Sequence, residues 1–291
     1  MSSIRHALRF ASERIDAVDA RMLLQHVAGL GHAQQVAYPE RELEPQAWQS
    51  FQSLVARRSA GEPIAYLIGW REFYGRRFAV TSDVLIPRPE TELLIDLVLA
   101  QFDRAATPRV LDLGTGSGIL AITLALQRPG ADVVATDVSA SALALARNNA
   151  SVLGARVRFI ESDWYAALER QRFDLIVANP PYVAPLDPHL EQSDLRFEPS
   201  GALVGNGPTG DGDLQIIIRG APAHLCPRGR LFVEHGWNQG AAIRMHLQEA
   251  GFDSVRTVQD LGGNERVTTG ILADRDAYSK CAPRPESRPP Q

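Results

Sequence analysis

The sequence predicts an α/β protein, with a doubly wound sheet domain following a small helical domain to which a β-hairpin joins it. Three observations carry this expectation. From Glu90 onward, apolar helical segments alternate with short strand-like runs, the pattern of a parallel sheet with helices on both faces. A glycine-rich turn follows the first of those strands directly. Residues 1 to about 60 carry helical periodicity and no strand alternation. At 291 residues the chain has room for both parts.

The clearest N-terminal helix runs from Asp16 to Leu30, where Val18, Met22, Leu23, Val27 and Leu30 recur near the helical period. Pro45 suits a helix first turn, and Gln46 to Arg58 places Trp48, Phe51, Leu54 and Val55 on one side. Gly61-Glu62-Pro63 breaks that pattern. Ile64 to Ile86 reads as hairpin material, with EFYG and RRFAV flanking a turn. The domains expected are 1–75, 76–276 and a tail at 277–291, whose prolines and polar residues predict disorder.

In the second domain the expected helices are 90–103, 117–127, 139–153, 213–224 and 239–250. The expected strands are 109–113, 132–137, 156–161, 173–178 and 229–235, with two more near 253–258 and 266–273. The Pro/Gly-rich stretch from Asn179 to Gly212 shows no clear element, and a loop of that length within a domain is usually functional.

Composition narrows the classes. Hydrophobic residues make up 45% and charged ones 22%, as in globular proteins with a sizeable core. A net charge of −4 argues against a protein built to grip a phosphate backbone. Of 30 basic residues only Lys280 is lysine, and the arginines are spread rather than clustered. Cys226 and Cys281 are the only cysteines, one in a helix-to-strand region and one in the polar tail, so neither a disulfide nor a metal cluster is expected. Neither a signal-like apolar start nor an apolar run of about 20 residues is present, so a cytoplasmic protein without membrane contact is expected.

Four motifs bear chemistry. Asp112-Leu113-Gly114-Thr115-Gly116-Ser117-Gly118 lies between strand RVLDL and an apolar helix. Glycines there permit a tight turn and let backbone N–H groups approach a ligand. The GxGxG spacing differs from the GxGxxG of dinucleotide sites, and a plain turn is the bland alternative. Asp137 ends strand VVATD, 23 residues after Gly114; a carboxylate there can accept from both ribose hydroxyls, or simply cap the helix after it. Ser162-Asp163-Trp164 follows the third strand, where Trp164 can stack on a purine or pack in the core. Asn179-Pro180-Pro181-Tyr182 ends strand FDLIVA. The prolines stiffen the turn and remove donors, leaving carbonyls, the Asn oxygen and the flat Tyr ring. That set suits an NH₂ group on a planar conjugated system.

The pair LDLGTGSG and NPPY resembles the Rossmann-like class I methyltransferases that modify amide or exocyclic amino nitrogens. The likeness extends from about residue 16 to 273 through DARMLL, GEPIAYLIGWREFYG, LIPRPETE, ESDW, DPHL..SDLRFEP, EHGWNQG and GGNERVTTG. These strings resemble the bacterial release factor glutamine methyltransferases. The resemblance implies S-adenosylmethionine as cofactor, held by Gly114, Thr115, Gly116, Ser117, Gly118, Asp137, Trp164 and Asn179. It implies a substrate glutamine, in the Gly-Gly-Gln motif of class 1 peptide-chain release factors, held by Asn179, Pro180, Pro181 and Tyr182. Asn179, Pro180 and Tyr182 are the candidate catalytic residues. LIPRPETE offers Arg88 and Glu90 as polar partners of the site, against a plain packing role. RFEP, with Glu198, shapes the substrate entrance or is structural, and the glycine-rich VGNGPTGDGDL (204–214) departs from the family pattern.

A monomer acting on a protein, with no direct nucleic-acid contact, is expected. The alternatives are glutamine methylation of a ribosomal protein, N-methylation of a nucleic-acid base, which must be flipped or captured, and a non-enzymatic module that keeps the nucleotide pocket as scaffold.

Overall fold

The computed structural model describes residues 2–274 apart from 104 and 192; the expected tail at 277–291 lies outside the described residues. By its internal contacts the chain forms two units. The first comprises the segment up to Glu72, Arg77–Ile86 and Pro188–Pro199; the second comprises Phe73–Arg76, Pro87–Asp187 and the segment from Ser200 onward.

The first unit is helical: α1 (Ile4–Ser12), α2 (Ala17–Ala28), α3 (His32–Ala37), α4 (Pro45–Ser59) and α5 (Ile64–Ile68). Asp16 caps α2 by accepting from the Val18 N–H at 2.7 Å, and Gly29 closes it in the left-handed conformation. Pro45 opens α4, where its missing N–H costs nothing. Ile4, Leu23, Leu24, Phe51 and Val55 form the core of this unit. α5 corrects the sequence reading, which gave Ile64–Ile68 to the hairpin. Pro63 and Gly69 bracket IAYLI as the two ends of one short helix, and an apolar run of that length has no decisive period.

The hairpin itself is β1 (Trp70–Phe73) and β2 (Arg76–Ala79). Its two-residue turn has φ 50° at Tyr74 and 70° at Gly75, the left-handed pair whose twist suits such a connection. Residues 188–199 join the first unit through Arg58, which bonds Asp19 at 2.6 Å and Asp194 at 2.9 Å. Buried Glu198 accepts the Ile86 N–H at 3.0 Å, so of the two roles open to it the structural one is visible.

The second unit holds α6 (Glu92–Leu99), α7 (Ile119–Gln127), α8 (Ala140–Leu153), the short α9 (Ser200–Leu203), α10 (Gly212–His224) and α11 (Gly240–Glu249). Its strands are β3 (Arg109–Leu113), β4 (Asp132–Asp137), β5 (Arg158–Glu161), β6 (Phe173–Ala178), β7 (Leu225–Glu234), β8 (Phe252–Gln259) and β9 (Glu265–Leu272). They form one sheet in the order β5-β4-β3-β6-β7-β9-β8. The first five are parallel, while β9 runs antiparallel to β7 and β8. The sheet is therefore mixed, and the expectation of a parallel one holds only for its first five strands. No helix intervenes between β8 and β9, and consecutive strands joined by a short turn pair antiparallel.

α7 contacts both α6 and α8, and α10 contacts α11, giving the two helical layers around a sheet whose central strands are buried. Leu111, Val134, Phe173, Ile176, Leu231 and Val233 lie in one apolar cluster. The near-continuous apolar runs in β3 and β6 are what burial on both faces demands. The expected structureless loop contains two 3-10 turns, Pro188–Glu191 and Ser193–Phe197, besides α9; turns this short leave no periodic signal. Cys226 is buried. Cys281, the other cysteine of the sequence, lies outside the described residues.

Candidate active site

Sheet topology fixes where a ligand can sit. From β3 the chain builds outward to β4 and β5, then returns to the other side of β3 as β6. The carboxyl ends of β3 and β6 thus flank the switch point, where parallel sheets open a crevice. Both sharp motifs emerge there: the glycine loop after Leu113 and Asn179 after Ala178, residues paired in register.

In the loop, Gly114, Gly116 and Gly118 have φ of 70°, 55° and 87°, conformations that side chains resist. A Cβ on Gly118 would lie 2.7 Å from Ile122 and 3.2 Å from Ala146, and one on Gly114 would lie 3.3 Å from the Trp164 ring. Thr115 and Ser117 turn inward and are buried. The Thr115 hydroxyl donates to Asp112 Oδ2 at 2.7 Å, and Ser117 offers its carbonyl to Asn149 Nδ2 at 2.9 Å. These bonds shape the loop from within.

Asp112 is the loop's internal anchor, also accepting the Ala121 N–H at 3.1 Å. Burial pushes its carboxyl up to about 7, against the hydrogen bonds from Thr115 and Ala121 and with help from the charge of Asp137. Asp137 ends β4 and accepts from the Gly116 N–H at 2.8 Å and the Ser139 N–H at 2.9 Å. Ser139, not Asp137, caps α8 through its own hydroxyl. Trp164 adopts a left-handed φ of 43° and packs against the core beside Gly114. Glycine loop, Asp137 and Trp164 therefore come together at the ends of β3, β4 and β5.

Asn179 donates from Nδ2 to the Thr91 hydroxyl at 3.2 Å. Its Oδ1 is buried and has no hydrogen-bond partner, an exception among buried polar atoms that points to a missing donor. Tyr182 donates its hydroxyl to Glu234 Oε1 at 3.3 Å. Burial drives its phenol well above the ordinary range, so it keeps its proton. Its backbone is held on both sides: the N–H donates to Leu203 O at 3.2 Å, and the carbonyl accepts from Gln239 Nε2 at 2.9 Å.

The glycine-rich stretch 204–214 packs directly behind this turn. A Cβ on Gly205 would fall 2.0 Å from the Gly210 carbonyl oxygen and 2.7 Å from that of Pro181. One on Gly210 would fall 2.6 Å from the Tyr182 carbonyl oxygen. Asp213 fixes the stretch by accepting from the Asn206 backbone at 2.9 Å and side chain at 2.8 Å.

Thr91 and Glu234 escaped the sequence reading as site residues. Both sit inside strings singled out there, LIPRPETE and EHGWNQG, but nothing in a string says which member turns toward Asn179. Arg88 and Glu90, offered there as polar partners against a plain packing role, are felt by the site through their charges: that of Arg88 favours ionised Tyr182, and that of Glu90 disfavours ionised Glu234. Among the described residues no cluster of His, Cys, Asp and Glu could hold a metal, and no helix is long and apolar enough to cross a membrane. A separate cavity of 810 Å³ in the first unit is lined by residues of α2, α4 and 41–44. It includes none of the residues predicted for the site.

Asp137→Ala is expected to weaken S-adenosylmethionine binding by about tenfold or more if the carboxylate holds the ribose through charge-assisted hydrogen bonds, and the Gly116 N–H loses its tether in either case. Calorimetric titration checks this, and an unchanged affinity would leave Asp137 only its role in holding the loop.

Two family models match the chain: the PrmC N-terminal domain over residues 1–69 and the methyltransferase small domain over residues 90–198. The release factor glutamine methyltransferase of Bordetella pertussis is 51% identical over 90% of this chain and 97% of its own length. That of Escherichia coli is 42% identical over 91% of this chain and 98% of its own. Among solved structures, a methyltransferase from Pyrococcus furiosus superimposes with a TM-score of 0.53 at 18% identity, covering 76% of this chain and 98% of that one; this likeness shows the fold alone. With half its residues shared with such relatives along nearly its whole length, and with a glycine loop and an Asn-Pro-Pro-Tyr turn at one switch point, the chain belongs to the release factor glutamine methyltransferase family.

Proposed function

We propose that this enzyme transfers a methyl group from S-adenosylmethionine to the side-chain amide nitrogen (N5) of a glutamine in a peptide-chain release factor, the glutamine of the Gly-Gly-Gln motif of class 1 factors. The observation that carries the reading is the orphaned Asn179 Oδ1, a buried acceptor held in place through Thr91. The residues present fit the cofactor: a left-handed glycine loop in which a Cβ at Gly114 or Gly118 would crowd its neighbours, the Asp137 carboxylate at the next strand end, and the Trp164 ring beside Gly114. Gly114 to Gly118, Asp137, Trp164 and Asn179 would hold it. Bound there, S-adenosylmethionine supplies an electrophilic methyl group on a sulfonium.

The chain's own task is alignment. An amide nitrogen is a poor nucleophile because its lone pair is shared with the carbonyl. Asn179 Oδ1 and the Pro180 carbonyl accept the two amide N–H bonds, presenting the face of the nitrogen and favouring the positive charge that grows on it. Pro181 stiffens the turn, and the Tyr182 ring, fixed by its hydroxyl and both backbone groups, stacks on the amide plane. No proton acceptor is assigned; water can take the proton after transfer. The substrate class carries with it a cytoplasmic location, and the enzyme is taken to act as a monomer.

Labelled cofactor offered with a release factor, a ribosomal protein and DNA side by side tests this. Label on a glutamine of the release factor is expected; label confined to the ribosomal protein or the DNA would overturn the assignment.

The helical first unit is proposed to recognise the folded factor. A fragment lacking residues 1–75 retains every residue assigned to cofactor and amide, and is expected to bind S-adenosylmethionine. Its kcat/KM on the intact factor should fall by about tenfold or more, the loss of at least ~1.4 kcal/mol of contact. The cut strips Asp194 of its Arg58 partner, so circular dichroism must first show the fragment folded. An undiminished kcat/KM would move recognition to the loop after Tyr182.

A further inference from the structure

On the half of the sheet opposite the glycine loop, three segments leave the carboxyl edge and each raises one large apolar side chain into solvent. β6, β7, β9 and β8 are neighbours in that order. β7 runs parallel to β6, while β9 runs antiparallel to both β7 and β8. The end of β7 and the turn between β8 and β9 therefore emerge at the same edge as Asn179. Leu186, on the chain leaving β6, is 96% exposed, and Trp237, after β7, is 66% exposed. Leu261, between β8 and β9, is fully exposed.

Single exposed apolar residues are ordinary on a protein surface. These differ in how firmly their turns are held. Gln239 closes the Trp237 turn: its N–H donates to the Gly236 carbonyl at 2.9 Å, and its Oε1 accepts the Gly236 N–H at 2.8 Å. The same side chain donates from Nε2 to the Tyr182 carbonyl at 2.9 Å and to that of Thr209 at 3.1 Å. The Trp237 turn is thus fastened to the Asn-Pro-Pro-Tyr turn itself. Asp260 closes the Leu261 turn, its Oδ1 accepting the Gly262 and Asn264 N–H groups at 2.9 and 3.0 Å. Arg266 ties the two turns together, donating to Asp260 Oδ2 at 3.2 Å and to the His235 carbonyl at 3.4 Å. Leu186 projects from a turn in which the Asp187 N–H donates to the Ala184 carbonyl at 3.0 Å. Turns fixed in this way have little freedom left to lose when a partner binds.

The amide decides what covers them. A glutamine side chain is short, so the backbone of its protein must pass within about 5 Å of the Asn179–Tyr182 turn. The cofactor is assigned the edge over β3, β4 and β5, which leaves the edge over β7, β9 and β8 to the rest of the substrate. Neighbouring strands lie about 4.8 Å apart, so the ends of β7 and β8 and the start of β9 fall within about 15 Å of Asn179 along that edge. The charges there are matched in place: Arg266 pairs with Asp260 at 3.2 Å and Arg244 with Glu265 at 2.6 Å. An apolar face with its charges matched suits an apolar patch on a folded protein. A phosphate backbone would need unmatched cations.

We infer that Trp237, Leu261 and Leu186 form a docking face for the release factor, taking an apolar patch of the domain that carries the methylated glutamine. Trp237 is the anchor, since tryptophan is among the residues that most often dominate a protein interface. The inference rests on the functional reading above and adds to it a contact outside the helical first unit.

The full-length enzyme and its variants, each shown folded by circular dichroism, are assayed on a purified release factor. Trp237→Ala is expected to raise KM about tenfold or more while kcat at saturating factor stays within about twofold, because the amide acceptors are untouched. Calorimetric titration of the factor, with S-adenosylhomocysteine present, should show the same loss in Kd. Affinity for S-adenosylmethionine should stay within about twofold of wild type. Leu261→Ser and Leu186→Ser should each raise KM about threefold, and Trp237→Phe should recover most of the affinity. Val152→Ala is the control: Val152 is 76% exposed in the last turn of α8, which runs back from the carboxyl edge, and its KM should match wild type. Should Trp237→Ala not fold, Trp237→Phe and Leu261→Ser decide. Unchanged KM and Kd for the factor in folded Trp237→Ala overturn the proposal while the functional reading stands. A loss confined to RNA binding or to self-association overturns it equally. A wild type that leaves the release factor unlabelled overturns both.

Discussion

Asn179→Ala is expected to reduce methyl transfer by a factor on the order of 10²–10³ while cofactor affinity stays within a few-fold. The side chain supplies the buried, unpartnered Oδ1, and removal of one group aimed at developing charge typically costs about 2.7–4 kcal/mol of transition-state stabilisation. The loss belongs in kcat rather than KM, because the acceptor matters most as the nitrogen gains charge. Thr91 is left with an unused acceptor in the variant, a cost to stability of about 1 kcal/mol that a melting curve would register separately. Single-turnover rates with saturating cofactor measure the effect. Retention of more than about a tenth of the wild-type rate, under 1.4 kcal/mol lost, would remove Asn179 from the chemistry.

Gly205→Ala should be nearly as damaging, although the residue touches no substrate. Its Cβ would fall 2.0 Å from the carbonyl oxygen of Gly210 and 2.7 Å from that of Pro181, inside contact distance and against backbone on both sides. No rotamer relieves such a collision, so the chain must move. The segment that moves carries Pro181, between the Pro180 carbonyl and the Tyr182 ring. Overpacking of this kind costs roughly 1–3 kcal/mol of stability, and misplacing an aligned site by about 1 Å costs about 10²-fold in rate. The expected signature is a turnover loss of about that size with cofactor binding preserved and a lowered melting temperature. Gly201→Ala is the control: it lies in α9, and its Cβ would meet nothing within 4 Å. Its activity and stability should match wild type. Full activity in Gly205→Ala would mean that the turn holds its shape without the brace.

Much of this architecture was legible in the residues because it follows from local rules. The apolar runs of β3 and β6, the glycines that must take positive φ, the capped helix α2 and the proline-stiffened Asn-Pro-Pro-Tyr turn each declare themselves over a few positions. Alternation of helices and strands then sets the sheet, and the sheet's switch point sets where both motifs meet. Resemblance to a family supplied what local rules cannot: the cofactor, and the amide as target.

What the tertiary structure decided are the relations between distant segments. IAYLI forms α5 rather than hairpin because its ends, Pro63 and Gly69, suit a helix, and a five-residue run has no decisive period of its own. β9 enters the sheet antiparallel because no helix separates it from β8. VGNGPTGDGDL carries glycine at 205 and 210 because backbone packs on backbone there behind Pro181 and Tyr182, a reason invisible until the two segments lie together. Thr91 and Glu234 reach Asn179 and Tyr182 from positions 88 and 52 residues away in the chain. Composition and periodicity along one segment carry no term for such a meeting. A hydrogen bond between segments depends on their separation in space, and folding alone sets that.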